Sequence, residues 1–282
     1  MRYHVISLVA VLLALGIGIL LGTTLVERGL IAEQRSEIDS LRETFSEIRE
    51  TNREMHDELN TYQGFALQAS PFLISGRLEG RQVALVDKLG VDDILEAAIR
   101  ETVAKAGGSV SLVITLAGPE VYESPPVAEA LAQLYGLPAE PGPLIERTMA
   151  EVAGQLATAS NPALLQELDR LGVIHFSGEL AGPVSAAVMV ADAEGDAPEL
   201  SERYDLPLIA ASIGFGFQLV GVGTDGAAIP VLESYRRNGI STVAGVDTIP
   251  GQVALVMVLE GKTGSYGPEG FAERLLPVPA GL

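Results

Sequence analysis

The sequence predicts an α/β protein, with a transmembrane helix that continues into a coiled coil and a mainly parallel, Rossmann-like domain behind it. Three observations support this. A long uncharged run opens the chain, a seven-residue apolar repeat follows directly, and strand-length apolar segments then alternate with helical segments. We expect a transmembrane anchor over residues 1–26, a coiled coil over 27–64, a linker over 65–80 and an α/β domain over 81–282, with a sub-boundary near residue 172 as an alternative.

The anchor is predicted from the uncharged run over residues 5–26. At ~1.5 Å per residue, a helix of this length spans about 33 Å, which is enough to cross a hydrocarbon core of about 30 Å. A cleaved signal peptide has a shorter apolar core and a cleavage site of small residues. Gly22 and Thr24 form only a poor site of that kind. We therefore expect the helix to remain as an uncleaved anchor.

The coiled coil is predicted from five heptads that begin at Ile31. Arginines occupy successive e positions, and Asn52 occupies an a position, where a polar residue sets register and favours dimers. The sequence thus predicts a parallel homodimer, whereas a long single helix packed on its own domain is the alternative. The candidate oligomerisation residues share the a and d positions of this repeat: Ile31, Ile38, Leu41, Phe45, Ile48, Asn52, Met55 and Leu59. Gln34 and Tyr62 complete the repeat at d positions.

The remaining sequence alternates strands and helices, the pattern of a parallel sheet. Predicted strands cover residues 82–87, 110–116, 172–177, 185–191 and 241–246. Predicted helices cover residues 92–106, 127–135, 144–158, 162–171, 227–238 and 251–260. The apolar stretch 206–223 is interrupted by Pro207, Gly214, Gly216 and Gly221, so we expect strand–turn–strand there and not a second membrane span.

Composition excludes several classes of site. The net charge is −19, from 37 acidic residues against 18 Lys and Arg, so the protein should repel phosphate backbones and nucleic acid is not an expected partner. Because the chain has no cysteine, it has no disulfides, thiolate metal sites or cysteine nucleophiles.

One glycine-rich motif has the context of a dinucleotide-binding loop. Gly221, Gly223 and Gly226 lie between a predicted strand and a predicted helix, and Asp247 follows the next strand. In such loops the glycines admit a pyrophosphate and the acid binds ribose. Asp225 opposes this interpretation, because its carboxylate would lie beside the phosphates. The alternative is a tight turn that needs glycine for backbone reasons.

Metal-ligating and catalytic residues form no recognisable pattern in the sequence, so we predict no catalytic residue, no metal site and no cofactor, and we expect a protein that is not an enzyme. The histidines and methionines are scattered, and each histidine is expected to be structural: His4, His56 and His175. Carboxylate pairs are expected to form a helix N-terminus and a loop, at Asp92 and Asp93 and at Glu194 and Asp196.

Two segments resemble the mycobacterial-type copper transport protein B family. They are HVISLVAVLLALGIGILLGTTL at residues 4–25 and GISTVAGVDTIPGQVALVMVLEGKTGSYG at 239–267, the latter followed by LLP at 275–277. The resemblance extends over essentially the whole chain. It implies a single-pass protein of the cytoplasmic membrane with its N-terminus inside, an extracytoplasmic domain and a role in copper transport or homeostasis. The Lys and Arg counts beside the span do not themselves favour this orientation.

The resemblance also carries a second hypothesis. A related corynebacterial member resembles an envelope regulator that pairs with a cytoplasmic partner and controls a peptidoglycan hydrolase. The alternative function is therefore a non-enzymatic coiled-coil scaffold that regulates a cell-wall hydrolase or division complex. Under either hypothesis the lipid bilayer, a second copy of the chain and an envelope or cytoplasmic protein are the expected partners. Copper is implied by the resemblance only.

Overall fold

The computed structural model describes residues 2–88, 93–191, 198–224, 226, 228–272 and 274–277. Of residues 2, 23–36, 39, 93 and 198–202 it describes the backbone alone. The chain divides into two compact units, Met1–Gly64 and Phe65–Leu282.

The first helix, α1, covers Arg2–Ile74 and is 73 residues long. It confirms that the predicted membrane span and heptad segment are helical. The helix continues through Gly64 and ends ten residues later, within the segment that the sequence indicated as linker. Pro71 lies in its last turn and its carbonyl accepts a hydrogen bond from Ser75 N at 3.0 Å. Pairing of two such helices is not tested by one chain and stays a prediction.

The membrane-spanning candidate is the part of α1 over Tyr3–Gly22, with a mean hydropathy of 2.8. None of its side chains is buried by the protein, as expected for a surface that faces lipid. Among the residues that the structure describes, it is the one helix long and apolar enough to cross a membrane.

The second unit is built on one seven-stranded sheet with the order β3-β2-β1-β4-β5-β6-β7. All neighbouring strands pair in parallel except β2 and β3, which confirms the mainly parallel prediction. The sheet includes strands from both sides of residue 172. The strands are β1 (Gln82–Lys88), β2 (Ser109–Leu116), β3 (Ile174–Gly178), β4 (Ala186–Val190), β5 (Gln218–Gly223), β6 (Ser241–Ala244) and β7 (Ser265–Tyr266).

Helices cover both faces of this sheet. They are α2 (Asp93–Lys105), α3 (Glu120–Glu123), α4 (Pro125–Tyr135), α5 (Pro141–Thr158), α6 (Pro162–Arg170), α7 (Pro198–Phe215), α8 (Ile229–Arg237) and α9 (Ile249–Glu260). One core packs α3 to α8 against the face that carries Ala84 and Val86. The other packs α2 and α9 against the face that carries Val83 and Leu85. The fold is therefore a three-layer, doubly wound architecture.

The strand order reverses between β1 and β4. From β1 the chain proceeds outward to β2, and from β4 it proceeds in the opposite direction to β5 and β6. This is the topological switch point of an open α/β sheet, where a crevice forms outside the carboxyl ends of the two central strands.

The strand–turn–strand prediction for residues 206–223 is wrong in its first half. Residues up to Phe215 belong to α7, and only β5 is a strand. The buried residues Tyr204, Leu208, Ile209 and Ser212 recur with helical spacing, so they bury one face of a helix. Pro207 is accommodated within α7.

Candidate functional site

The carboxyl edge of the sheet at the switch point carries two adjacent charged residues. Asp87 and Lys88 end β1, and because side chains alternate along a strand they lie on opposite faces of the sheet. The loops after β1 and β4, residues 89–92 and 192–197, lie outside the described residues. The predicted carboxylates Asp92, Glu194 and Asp196 therefore lie outside them as well.

Lys88 forms an ion pair with Asp205 of α7, with 2.8 Å between Nζ and Oδ2. The Asp205 side chain is fully buried and the Lys88 side chain is 13% exposed. Tyr235 of α8 donates a hydrogen bond from its hydroxyl to the same Oδ2 atom. These three side chains link β1 to the helices on one face of the sheet. Lys88 and Tyr235 supply the partners that the buried carboxylate of Asp205 requires.

Asp87 occupies a different environment on the other face. The residue is 5% exposed, and among the described residues its Oδ1 atom has no hydrogen-bond partner. Burial raises the pKa of its carboxyl to about 6, and this effect exceeds the lowering effects of a hydrogen bond from Thr115 and of Arg100. The carboxyl of Glu96 also raises this pKa. The arrangement places a carboxyl that gains and loses a proton near neutral pH beside the switch point.

The predicted dinucleotide motif has the expected strand, loop and helix, formed by β5 and α8. Gly221, however, lies within β5, and a Cβ atom added there would lie 2.5 Å from Cδ2 of Tyr235. The packing of this ring thus accounts for glycine at this position. Gly226 has a φ of +85°, which suits a tight turn. The carbonyl of Gly223 accepts a hydrogen bond from Val246 N at 3.2 Å.

Asp247, the acid of the same motif, is exposed beyond the end of β6. Asp225 and Ala227 lie outside the described residues. Nucleotide binding stays a hypothesis, since the packing of Tyr235 accounts for Gly221 and a tight turn accounts for Gly226 without a ligand.

The segment after β6 packs the N-terminus of α9 closely against the preceding loop. The Thr248 side chain accepts a hydrogen bond from Gly251 N at 3.3 Å and caps the helix. A Cβ atom added at Gly251 would lie 2.0 Å from the carbonyl oxygen of Gly245. This backbone contact requires glycine at 251. It explains in structural terms why the segment 239–267, which carries the family resemblance, has a glycine at this position.

Most soft metal-ligating side chains lie in different elements, whereas Met55 and His56 are neighbours on α1. Met149 and Met189 are buried in the core that packs α3 to α8, and His175 pairs with Asp169 at 3.0 Å between Nδ1 and Oδ1. Met55 and His56 are exposed on α1. Within the described parts of the chain, no three His, Cys, Asp or Glu side chains converge as a metal site.

The heptad face of α1 is exposed in the single chain. Its large apolar side chains have between 47% and 61% of their surface exposed: Ile38, Leu41, Phe45, Ile48, Met55 and Leu59. Asn52 is exposed as well, and the side chain of Ile31 lies outside the described set. An apolar stripe of this extent on a water-exposed helix is typical of a surface that a partner covers.

Sequence reasoning missed the residues of the switch point. Asp87 and Lys88 were visible as two charges at the end of a buried apolar strand, a signal for the functional edge of an α/β sheet. Asp205 and Tyr235 carried no such signal, because Asp205 is separated in sequence by 117 residues from Lys88 and by 30 residues from Tyr235.

Comparison with known proteins gives a family match over nearly the whole chain. The family model described as "Copper transport outer membrane protein, MctB" matches residues 1–277. Relatives from Mycobacterium tuberculosis and Mycobacterium bovis, each described as "Copper transporter MctB", are 23% identical to the chain over 301 residues. These alignments cover 95% of the chain and 95% of each relative.

Proposed function

The chain belongs to the MctB family of copper transport outer membrane proteins, and we propose that it is a membrane-anchored envelope protein with a role in copper transport or homeostasis. The family match over residues 1–277 carries this proposal. The apolar helix over Tyr3–Gly22 supports membrane anchoring. We propose that the α/β domain is a binding and structural unit and not an enzyme.

A deletion strain tests the copper role directly. We expect loss of the gene to lower the copper concentration that cells tolerate, and we expect the full-length chain to restore it. Sensitivity to zinc and to detergent, measured in parallel, distinguishes a copper defect from a general envelope defect. Unchanged copper tolerance in the deletion strain contradicts the proposal.

The proposed topology is a single pass through the cytoplasmic membrane, with the N-terminus inside and the α/β domain outside. The absence of cysteine allows one reporter thiol to be placed at will. We expect Glu179→Cys, on an exposed residue of the domain, to react with a membrane-impermeant maleimide on intact cells. Ser7→Cys, within the span, is the control that should stay unlabelled. Labelling of Glu179→Cys only after lysis contradicts this orientation.

We further propose that α1 forms a parallel coiled-coil homodimer. The exposed heptad face supplies the apolar seam. In an antiparallel pair the e positions of the two chains would face each other and bring Arg42 and Arg49 close to arginines of the second copy. In a parallel pair Glu37 at g faces Arg42 of the second copy, an attractive contact. Two copies anchored by the same N-terminal segment in one membrane are also parallel.

Cysteine cross-linking tests this dimer. We expect Leu41→Cys, at a d position, to form an intermolecular disulfide in membranes under mild oxidation, because identical d positions face each other only in a parallel, in-register pair. Glu43→Cys, at the outward-facing f position of the same heptad, is the matched control and should stay monomeric. Equal cross-linking at both positions, or none at Leu41→Cys, contradicts the dimer.

The second candidate function is a non-enzymatic scaffold that regulates a cell-wall hydrolase or division complex through an envelope or cytoplasmic partner. The exposed heptad face favours it, since such a face holds two domains together or recruits another helix. Here we expect the deletion strain to show a division or wall-lysis defect at normal copper tolerance. Normal division and normal resistance to lysis contradict the scaffold function.

A further inference from the structure

One heptad of α1 differs from its neighbours in the chemistry of its side chains. The e positions before it are Arg35, Arg42 and Arg49, whereas its own e position is His56. Its d position is Met55, the one thioether among the a and d positions of the repeat. The two residue types that ligate soft metal ions thus coincide in one layer.

We propose that two copies of α1, paired in parallel, bind one Cu(I) ion between them through Met55 and His56 of both chains. This site rests on the proposed copper role and on the proposed dimer. A single chain offers only one thioether and one imidazole, on adjacent residues that point about 100° apart around the helix. The site is therefore incomplete without the second copy.

Coiled-coil packing brings the ligands together. In a parallel pair, side chains at d lie opposite their counterparts, and each inserts among residues of the facing helix while the e positions flank the seam. Met55 is 50% exposed in the single chain, so a partner can contact its side chain. His56 is exposed beside it. Pairing places two thioethers in the seam with an imidazole on either side.

The local charge suits a cation. Residues 54–58 contain three acids, Glu54, Asp57 and Glu58, and no Lys or Arg. The g position that faces His56 from the second copy is Thr51, so no arginine repels the ion across the seam. Thioether and imidazole together prefer Cu(I) over hard cations, which favour oxygen ligands.

Copper titration of the full-length dimer tests the site. The protein in detergent, with dimerisation established by the Leu41→Cys cross-link in a parallel sample, is titrated anaerobically with Cu(I) against a chromogenic chelator. We expect one ion per two chains at micromolar or lower free copper, with sulfur and nitrogen neighbours in the X-ray absorption spectrum. No binding to a demonstrated dimer, or a spectrum with oxygen ligands alone, overturns the site.

Met55→Leu separates ligation from packing, because leucine is well suited to a d position and keeps the dimer. We expect this variant to cross-link normally through Leu41→Cys but to bind Cu(I) at least about 100-fold more weakly, since loss of a ligand exceeds the roughly 10- to 100-fold effect of losing an outer contact. In the X-ray absorption spectrum of the Cu(I)-loaded His56→Gln variant, we expect the nitrogen neighbours of copper to be lost. Met257→Leu, in α9 of the domain, is the control that should bind normally.

The copper tolerance of cells distinguishes this site from the wider proposal. If Met55→Leu binds Cu(I) as tightly as the unmodified protein, the site is overturned whatever the phenotype of the deletion strain. If the deletion strain has normal copper tolerance but the dimer binds Cu(I) through sulfur, the site stands and the copper role fails.

Discussion

Two neighbouring charged residues at the end of β1 lie on opposite faces of the sheet and differ in the partners they find there. On one face of the sheet, Lys88 pairs with the buried carboxylate of Asp205, which also accepts a hydrogen bond from the hydroxyl of Tyr235. Asp87 lies on the other face with one oxygen that has no partner among the described residues. The first charge stabilises the fold through its partners, whereas ionisation of the second costs free energy because the carboxylate is poorly solvated.

Asp87 should therefore make stability depend on pH. Its pKa is raised from 3.8 to about 6 in the folded protein, so the folded state holds this proton more tightly than the unfolded state does. The protein should lose up to about 3 kcal/mol of stability from this group as pH rises from about 4 through about 6. Asp87→Asn should not show this loss, as measured by urea unfolding across that range.

The stability difference between Asp87→Asn and the unmodified protein isolates the titration of this one group. We expect the difference to favour the variant increasingly up to pH 6 and then to level off. Glu179→Gln, at an exposed position, is the control and should give a flat difference. If the stability difference for Asp87→Asn is also independent of pH, the carboxyl of Asp87 has the same pKa in the folded and the unfolded protein, which contradicts the prediction.

Lys88→Met should destabilise the protein strongly. Asp205 would keep its buried charge without this cation, and such a loss costs about 3–5 kcal/mol. The double variant Lys88→Met with Asp205→Asn should recover part of that loss, because the uncompensated charge is removed as well. Urea unfolding of the two single variants and the double variant measures the coupling. Additive losses would mean that the ion pair contributes nothing.

At the scale of elements, the glycine of segment 239–267 at which an added Cβ would approach a neighbouring atom most closely is Gly251, at the start of α9. We expect Gly251→Ala to destabilise the protein by about 3 kcal/mol or more, because the new methyl group would overlap the carbonyl of Gly245 and the helix has to shift. Gly182→Ala is the control, since its added Cβ would meet nothing within 4 Å, and it should change stability by less than about 0.5 kcal/mol. Thermal unfolding compares the two, and equal effects would contradict the contact.

The elements that the sequence predicted well are those with a single dominant signal. β1 and α5 were predicted correctly, because an unbroken apolar run indicates a buried strand and a long helical periodicity indicates a helix. The segment that became α7 did not, because Pro207 and an apolar stretch resemble a broken strand until the burial of Tyr204 and Leu208 on one face is known. The ion pair of Lys88 was not predictable, since only folding brings Asp205 of α7 to the end of β1.

At the scale of the whole molecule, the net charge of −19 affects the stability of the folded state. Repulsion among excess carboxylates destabilises a compact state, and salt screens it with a Debye length that falls below about 10 Å above roughly 0.1 M. We expect the melting temperature to rise by a few degrees between about 20 mM and about 200 mM NaCl. Sucrose at equal osmolality is the control for excluded-cosolvent effects. A melting temperature that falls with salt would show that attractive pairs outweigh the net repulsion.

Because α1 is one continuous helix, it fixes both the distance and the angle about the helix axis between the membrane span and the heptads. Each residue of an α-helix turns the chain by about 100°, so the number of residues between the span and the heptads fixes the angle between any side of the span and the exposed heptad face. Inserting one residue after Glu27 would turn one against the other by about 100°, whereas inserting seven would nearly restore the phase. A rotation of the helix inside the bilayer would thus turn the heptad face by the same angle.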